Sequence, residues 1–356
     1  MSVDRRTLLA MLCVSPASAY AQQQGFAGLG TEVDGFADVV PGRKIRFPED
    51  HGAHPDFRIE WWYVTANLTD ESGALYGAQF TLFRQAATPG PQRTGWSSQQ
   101  FWLGHAAITS ANDHRHAEKF ARGGIGQAGV TAKPFAAWND DWRFASVGEN
   151  FAPLTLDVTT PELGINLNLS TAADMVRQGD DGYSVKSERG QASYYVSQPF
   201  FAAEGRLSFG ERNVEVTGQA WMDREWSSQP LAPDQEGWDW FSLHLDSGEK
   251  VMLFRLRHEG GENFFAGNWI SRDGESKPIN SKDIMLIPLA TEKIAGRELP
   301  TSWELAVGTR GLKIEVDALN PQSWNGTGFP YWEGPIRVKG SHGGIGYLEM
   351  TGYPIL

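Results

Sequence analysis

The sequence predicts an all-β protein built from two antiparallel β-barrel units, with little helix. Three observations support this fold class. Glycine is frequent, at 40 of 356 residues, and aromatic residues make up 12% of the chain, including 14 tryptophans. Short runs with period-two alternation are separated by Gly, Asn, Asp and Pro, and long helical periodicity is absent. The opening run of the pattern also recurs later in the chain, which indicates a duplicated β unit.

Composition and charge exclude several classes of function. The chain has 31 basic and 43 acidic residues and a formal net charge of -12. Phosphate binding needs a basic face, so neither a nucleic-acid partner nor adhesion to an anionic bilayer is expected. The single cysteine, Cys13, rules out an internal disulfide framework and a cysteine-based zinc site. A chain of this length can bury a sizeable core without either.

The first residues are typical of an export signal. Arg5-Arg6 forms a positive start, Leu8 to Val14 is a short apolar core, and Ala19-Tyr20-Ala21 fits a cleavage site before Gln22. The arginine pair resembles a twin-arginine signal. Residues 1–21 therefore predict a periplasmic or secreted protein; a cytoplasmic chain with an apolar start is the alternative. Residues 22–44 are Gly-rich and predict a linker or arm, and no later run is long enough to cross a membrane.

Two segments with the same order of residues begin the two predicted β units. Trp61-Trp62-Tyr63-Val64 and Trp238-Asp239-Trp240-Phe241 each continue through an apolar strand, a Ser-Gly turn and a strand ending in Phe-Arg. Residues 214–218 and 348–352 also match, which aligns Glu215 with Glu349. The sequence therefore predicts related β domains at 45–222 and 223–356. Chance similarity of two hairpins is the alternative.

Alternation divides the two opening strands into faces. One face is apolar, with Trp62 and Val64 in the first unit and Phe241 in the second. The other face is aromatic and polar, and its residues are Trp61, Tyr63, Thr65 and Asn67, then Trp238, Trp240, Ser242 and His244. Such a face suits a ligand cavity or the seam between the units. An ordinary half-buried sheet is the competing interpretation.

The most informative segment lies at the predicted junction. In an extended strand, Trp221, Asp223 and Glu225 share one face, and Arg224 projects to the other. Burial and a neighbouring like charge both raise the pKa of a carboxyl, which can then act as a general acid. The competing interpretation is a structural salt bridge between the domains.

His105 follows an apolar run and is either a hydrogen-bonded core residue or a functional one. The sequence predicts no metal site.

Five segments make the chain resemble the AttH/CrtC family of lipocalin-like proteins, which includes carotenoid 1,2-hydratases. They are Glu60-Trp61-Trp62-Tyr63-Val64, Gly104-His105-Ala106-Ala107-Ile108, Trp221-Met222-Asp223-Arg224-Glu225-Trp226, Gly237-Trp238-Asp239-Trp240-Phe241 and Gly346-Tyr347-Leu348-Glu349-Met350-Thr351-Gly352-Tyr353. The resemblance covers roughly residues 45–356. It implies two lipocalin-like barrel units and cofactor-free chemistry, such as water addition to a C=C bond of a large apolar molecule.

With this resemblance, Asp223 is the expected general acid, and Glu225 tunes it or serves as the base for water. Tyr63 offers a π face to a carbocation, and His105 is expected to position water. The expected substrate-binding residues are Trp61, Trp221, Trp238, Trp240 and His244. An apolar small molecule is the expected partner, and the oligomeric state stays open. Two further functions stay open: a non-catalytic carrier of an apolar ligand, and a carbohydrate-active hydrolase.

The export signal can be tested directly. Replacing both Arg5 and Arg6 with Lys should block export of the full-length chain, because the twin-arginine pathway reads the arginine pair itself. The measurement is the distribution of the protein between cell fractions, with N-terminal sequencing of the exported wild type, which should begin at Gln22. Unimpaired export of the double-lysine variant would leave only a general secretory signal.

Overall fold

A computed structural model describes residues 26–31 and 33–356. The predicted signal segment, with Cys13, and residues 22–25 of the predicted arm lie outside the described residues. Within the described residues the regular structure is almost entirely β-strand, and the helical elements are five 3-10 helices: Phe26–Gly28, Glu49–His51, Gly95–Ser97, Ser281–Asp283 and Gly308–Arg310. No helix in this part of the chain is long and apolar enough to span a membrane.

The first sheet contains thirteen strands: β1 (Ile59–Thr69), β2 (Leu75–Ala86), β3 (Gln100–Ser110), β4 (His114–Arg122), β5 (Ala128–Ala132), β6 (Phe135–Asn139), β7 (Trp142–Ser146), β8 (Leu154–Thr159), β9 (Leu163–Ser170), β10 (Val176–Arg177), β11 (Tyr183–Val185), β12 (Ala192–Phe209) and β13 (Arg212–Ser227). Their order is β4-β3-β2-β1-β13-β12-β9-β8-β7-β6-β5, and β10 and β11 pair with β12. The last long strand, β13, thus lies beside the first, β1.

The second sheet contains ten strands: β14 (Gln235–Leu245), β15 (Lys250–His258), β16 (Phe264–Ile270), β17 (Ser276–Pro278), β18 (Ile284–Ile294), β19 (Arg297–Val307), β20 (Leu312–Ala318), β21 (Trp324–Asn325), β22 (Tyr331–Gly340) and β23 (Gly344–Met350). Their order is β17-β16-β15-β14-β23-β22-β20-β19-β18, and β21 pairs with β22. Here too the first strand, β14, pairs with the last, β23. The prediction of an all-β fold with two curled, barrel-like units is confirmed.

Each unit has its own hydrophobic core. In β1, alternation buries Trp62, Val64, Ala66 and Leu68 at 0–1% exposure, and they pack against the aromatic and aliphatic residues of β2, β3 and β6–β9. In β14, the alternating residues Phe241, Leu243 and Leu245 enter the second core. The predicted apolar faces are therefore core faces. The opposite faces of both strands contribute to a third cluster, which contains Tyr63, Trp221, Trp240 and Tyr347 and joins the two sheets.

The chain leaves the first sheet after Ser227. Strand β13 pairs with β1 without interruption from Thr217 to Ser227, so the expected boundary between 222 and 223 falls inside this strand. The physical reason is that the junction motif is itself a strand of the first sheet.

The described part of the arm packs on the first unit: the Tyr194 hydroxyl donates to the Val40 carbonyl at 2.9 Å, and Arg58 donates to the Thr31 carbonyl at 2.7 Å.

The pairing of β1 with β13 and of β14 with β23 changes which residues of the two units correspond. Tyr63 lies opposite Asp223 in the first unit, and its counterpart Trp240 lies opposite Glu349 in the second. If the openings of the two units are equivalent, Glu349 is the counterpart of Asp223. The match between 214–218 and 348–352, which aligned Glu349 with Glu215, was wrong because it followed local residue order rather than strand pairing.

Arg224 points into a buried ion cluster on the core side of the first sheet. Glu60, which is fully buried, accepts hydrogen bonds from Arg224 and Arg84 and from the His54 amide at 2.8 Å. The Arg224 guanidinium also lies 3.9 Å from the ring centroid of Trp62. Burial alone would raise the pKa of Glu60, but the charges of Arg224 and Arg84 outweigh burial and hold that pKa well below its usual value.

Removing the shared carboxylate should destabilise the first unit. Glu60→Gln leaves two buried guanidinium groups without their common counter-charge, so we expect the free energy of unfolding to fall by about 3–5 kcal/mol. Urea unfolding followed by tryptophan fluorescence measures this change. Glu215→Gln, which breaks the exposed Arg206–Glu215 pair, is the matched control and should have little effect. Equal stability of the two variants would contradict a stabilising role of the cluster.

Candidate active site

The candidate site lies on the face of the first sheet that is turned toward the second unit. Antiparallel register places side chains from successive strands in rows across the sheet. One row is mainly polar and runs from β13 to β4: Asp223, Tyr63, Thr81, His105 and Glu118. Adjacent strands are ~4.8 Å apart, so this row extends over ~19 Å. The sheet thus brings residues that are distant in sequence into one line.

The neighbouring row begins with a carboxylate and is otherwise apolar: Glu225, Trp61, Phe83, Leu103 and Phe120. Its far end is open to solvent, because Phe120 is 62% exposed. Phe101 and Phe329 are also exposed, and with Phe120 they line the same pocket. The row therefore forms an apolar path from Glu225 to an aromatic mouth.

The second sheet supplies the opposite wall. Glu333 of β22 lies opposite Glu349 of β23, which lies opposite Trp240 of β14, and Trp240 lies opposite Phe254 of β15. Between the two walls is a pocket of about 230 Å³. Most of its lining is aromatic or aliphatic. The titratable side chains among its lining residues are Tyr63, His105, Lys186, Tyr195, Asp223, Glu225, Tyr331 and Glu349.

Asp223 is buried at the inner end of this pocket and is 3% exposed. Its Oδ1 accepts hydrogen bonds from the Ser197 hydroxyl at 2.5 Å and the Trp221 indole at 2.7 Å. Its Oδ2 accepts one from the Tyr195 hydroxyl at 2.6 Å. Burial raises the pKa of Asp223 to about 7, although the three donors oppose the shift. No cationic side chain in the described residues pairs with it, so burial prevails.

Tyr195 connects Asp223 to the second unit. Its hydroxyl donates to Asp223 and accepts a hydrogen bond from the Trp240 indole at 3.1 Å. Burial, together with the charges of Asp223 and Glu225, raises the pKa of Tyr195 well above its usual value. Tyr195 therefore keeps its proton and serves as a donor to the carboxylate.

Glu225, two residues further along β13, has a different environment. Its Oε1 lies 2.9 Å from the Lys186 ammonium and accepts a hydrogen bond from Ser193. Lys186 is held over the rings of Tyr195 and Phe254, at 4.8 and 4.4 Å from their centroids. The available lysine is therefore paired with Glu225 and leaves Asp223 unpaired. The two carboxyls of the junction motif thus have distinct electrostatic settings.

Two more carboxyls come from the second unit. The Trp238 indole donates to Glu349 at 2.6 Å, and the Tyr63 hydroxyl donates to Glu333 at 2.5 Å. Burial raises the pKa of Glu349 to about 7; the indole opposes the shift, and the charges of Asp223 and Glu225 add to it. Burial and the charge of Glu349 raise the pKa of Glu333 well above its usual value. The pocket therefore concentrates carboxyl groups in an apolar setting.

His105 is hydrogen-bonded through both ring nitrogens. Its Nδ1 lies 3.1 Å from the Tyr331 hydroxyl of the second unit, and its Nε2 lies 3.1 Å from Glu118. If Nε2 carries the proton, it donates to Glu118, and Nδ1 accepts from Tyr331. The ring is thereby fixed at the pocket wall. No cluster of three or more metal-binding side chains occurs in the described residues.

Most of the predicted site residues meet at this pocket. Its lining includes Tyr63, His105, Asp223 and Glu225 from the predicted catalytic set, and Trp61, Trp238 and Trp240 from the predicted substrate-binding set. Trp221 and His244 are placed differently. Trp221 is fully buried and holds Asp223 through its indole. His244 lies behind Trp221, with ring centroids 5.8 Å apart, and contacts Gln219 and Lys250.

The approach of the two sheets explains why Trp221 and His244 do not reach the pocket. Gly77 of β2 sits where the sheets converge, and a Cβ at this position would lie 2.5 Å from the Tyr347 hydroxyl and 2.7 Å from Pro335. The seam is closed at this end, so residues in the adjoining rows pack against each other. The exposed lining residues Phe101, Phe120 and Phe329 lie toward the Trp61 end of the strands, where the pocket opens.

Several residues in or beside the pocket were not predicted from the sequence. Four of them line the pocket: Lys186, Tyr195, Tyr331 and Glu349. Four others bond to lining residues: Glu118, Ser193, Ser197 and Glu333. Tyr195 and Ser197 lie on β12, opposite Glu225 and Asp223 respectively. The alternation of Ser193, Tyr195 and Ser197 was a usable signal that these side chains share a face. Glu349 was visible as a motif residue, but only strand pairing assigns it to the pocket.

Fold and pocket together define a lipocalin-like protein with two β units that face each other across an acidic, largely apolar cavity. Comparison with known proteins identifies the family to which it belongs. The AttH-like family model matches residues 38–353, and the chain belongs to this family. A crystal structure of a candidate AttH protein from Nitrosomonas europaea has 31% sequence identity and a TM-score of 0.80; the match covers 90% of this chain and 100% of the other.

A second solved structure shares the fold at lower identity. It is kievitone hydratase from Nectria haematococca, with 14% identity and a TM-score of 0.67, and the match covers 91% of this chain and 98% of that one. At this identity the likeness concerns the fold alone. No curated protein sequence matches the chain significantly.

The hydrogen bond from Tyr195 should lower the pKa of Asp223. Tyr195→Phe removes a donor that favours the ionised carboxylate, so we expect the pKa of Asp223 to rise by about one to two pH units. Carbon-13 NMR of the Asp223 carboxyl, assigned by comparison with Asp223→Asn, measures the titration. Tyr194→Phe is the matched control, because Tyr194 donates to the Val40 carbonyl instead. A pKa that stays unchanged or falls in Tyr195→Phe would contradict this geometry.

Proposed function

We propose that this protein adds water to a C=C bond of a large apolar molecule, or removes it, by acid catalysis without a cofactor. One observation carries the proposal: a buried carboxyl, Asp223, faces an apolar pocket and has no cationic partner among the described residues, and burial raises its pKa to about 7. A carboxyl with these properties is protonated in a large fraction of molecules at neutral pH. It can therefore act as a general acid.

The proposed reaction uses two carboxyls of β13. Protonated Asp223 transfers its proton to one alkene carbon, and the other carbon becomes a carbocation. The oxygen of a water molecule then bonds to this carbon, and the resulting oxonium loses a proton to the Glu225 carboxylate. Proton transfer from Glu225 back to Asp223 through pocket water restores the starting state. The reverse sequence removes water from an alcohol.

The walls of the pocket suit a positively charged intermediate. The aromatic residues Trp61, Tyr63, Trp238 and Trp240 line it, and an aromatic face can stabilise a nearby cation by ~0.5–2 kcal/mol. Tyr63 and Trp240 are packed edge to face at 5.4 Å, which fixes their orientation. Both ring nitrogens of His105 are bonded to Tyr331 and Glu118, three strands from Asp223. In this proposal His105 therefore forms part of the pocket wall and does not position the water. The aromatic walls thus lower the barrier to protonation.

The shape of the pocket suggests how the substrate lies. The apolar row from Trp61 to Phe120 crosses four strands and is ~14 Å long. We propose that an elongated apolar molecule lies along this row, with its reacting bond near Asp223 and its other end toward Phe120. The name of the distant relative, kievitone hydratase, agrees with a hydratase on this fold. The N-terminal sequence supports a place of action in the periplasm or outside the cell.

A non-catalytic carrier is the second candidate. The apolar row and aromatic mouth favour it, since a carrier needs a largely apolar cavity. The convergent carboxyls argue against a carrier. Burying each carboxyl costs free energy, and in a carrier no reaction would use it. The carbohydrate-active alternative has no such support: the path from Trp61 to Phe120 is aromatic and aliphatic and offers few partners for sugar hydroxyls.

Turnover in isotopic water tests the proposal. The purified protein is incubated in H2¹⁸O with kievitone and with a panel of apolar isoprenoid alkenes, and the products are analysed by mass spectrometry. We expect a product that has gained one molecule of H2¹⁸O, and a rate ~10²–10⁴-fold lower in Asp223→Asn. Glu215→Gln, an exposed change on the same strand, should keep the wild-type rate.

Two results would contradict the proposed reaction. The first is full activity in a folded Asp223→Asn protein. The second is recovery of an apolar compound, bound equally by wild type and Asp223→Asn and never chemically changed. The latter result would establish the carrier function instead.

A further inference from the structure

The pocket contains more acidic groups than cations to balance them. Asp223, Glu225 and Glu349 line it, and among its described lining residues Lys186 is the only lysine or arginine. Lys186 pairs with Glu225. The donors to Asp223 and the indole that donates to Glu349 are all neutral groups. The pocket therefore has more acidic than basic side chains inside an apolar boundary, and a cation bound beside them would favour their ionised forms.

One oxygen of Glu225 is available to a ligand. Lys186 and Ser193 both contact Oε1, and Oε2 has no hydrogen-bond partner in the described part of the chain. Glu225 is only 5% exposed and lines the pocket. Oε2 is not sealed in the interior, so a donor or a cation that enters the pocket can contact it.

Aromatic surfaces adjoin this free oxygen. Trp61 lies directly opposite Glu225 in the strand register, and Trp238 and Trp240 line the facing wall. A weakly hydrated cation, such as a tertiary or quaternary ammonium, is attracted both by carboxylates and by aromatic faces. An unmodified hydrocarbon would contact the aromatic faces but would gain no charge interaction with the carboxyl groups.

We infer that this pocket binds a positively charged group, a tertiary or quaternary ammonium carried on an apolar body. The ammonium lies between Glu225, Glu349 and the indole of Trp61, and the apolar body extends along Phe83 toward the mouth. The inference uses the pocket of the proposed function but does not depend on its catalysis. It identifies a class of ligand, lipophilic ammonium ions, that resembles the cationic intermediate of the proposed reaction in charge.

A pair of isosteres tests this inference. The probes are (4-phenylbutyl)trimethylammonium and the neutral compound in which carbon replaces the nitrogen. Tryptophan fluorescence and calorimetry measure their dissociation constants with the full-length protein. We expect the ammonium to bind at least ~10-fold more tightly, because the neutral isostere gains no charge interaction.

Variants locate the binding group. Glu225→Gln and Glu349→Gln should each weaken ammonium binding several-fold to ~10-fold and leave the neutral isostere unaffected. Glu215→Gln makes the same change in net charge on the same strand as Glu225, but its side chain is 71% exposed, so affinity should stay at the wild-type value. If Glu225→Gln does not fold, Glu349→Gln provides the test.

The inference is overturned if neither probe binds, if the two probes bind equally, or if both pocket variants behave like Glu215→Gln. Absence of turnover in the hydration assay has no bearing on these measurements. Failure of the proposed reaction and failure of the ammonium site are therefore distinguishable.

Discussion

Side-chain alternation along strand β13 is the constraint on which the rest of this structure depends. Arg224 projects to one face of the sheet and Asp223 and Glu225 to the other, since successive residues in a strand point in opposite directions. On the core face, Arg224 and Arg84 share Glu60, and charge is balanced. On the pocket face, the donors to Asp223 in the described part of the chain are all neutral. The adjacent residues Asp223 and Arg224 thus have different roles: Asp223 is a candidate proton donor, and Arg224 belongs to a structural ion cluster on the opposite face.

The site exists only where the two units meet. Among the contacts that cross between them are those of Tyr195 with Trp240, Tyr63 with Glu333, and His105 with Tyr331. Each involves a tyrosine hydroxyl, and each connects residues far apart in sequence. Asp223 lies opposite Tyr63, and Glu349 lies opposite Trp240, so the seam brings carboxyls of both units into one cavity. Each β unit therefore provides part of the acidic pocket.

The sequence predicted the parts of the structure that local patterns determine. Alternation in the opening strands correctly separated Trp62 and Phe241, which enter cores, from Tyr63 and Trp240, which face the seam. Alternation also placed Asp223 and Arg224 on opposite faces. Strand pairing was not predictable in this way. The counterpart of Asp223 was missed because residue order near Glu349 imitates residues 214–218, and the displacement of His244 from the pocket depends on how closely the sheets approach at Gly77.

Neutron diffraction from deuterated crystals at pH 6 tests the central claim most directly, because it locates the protons on both faces of the same sheet. The account predicts deuterium on the carboxyl of Asp223 and none on Glu60, since burial raises the pKa of Asp223, whereas at Glu60 the charges of two guanidinium groups outweigh burial. An Asp223 carboxylate that carries no deuterium and accepts hydrogen bonds from all three donors would contradict the account, and so would deuterium on Glu60.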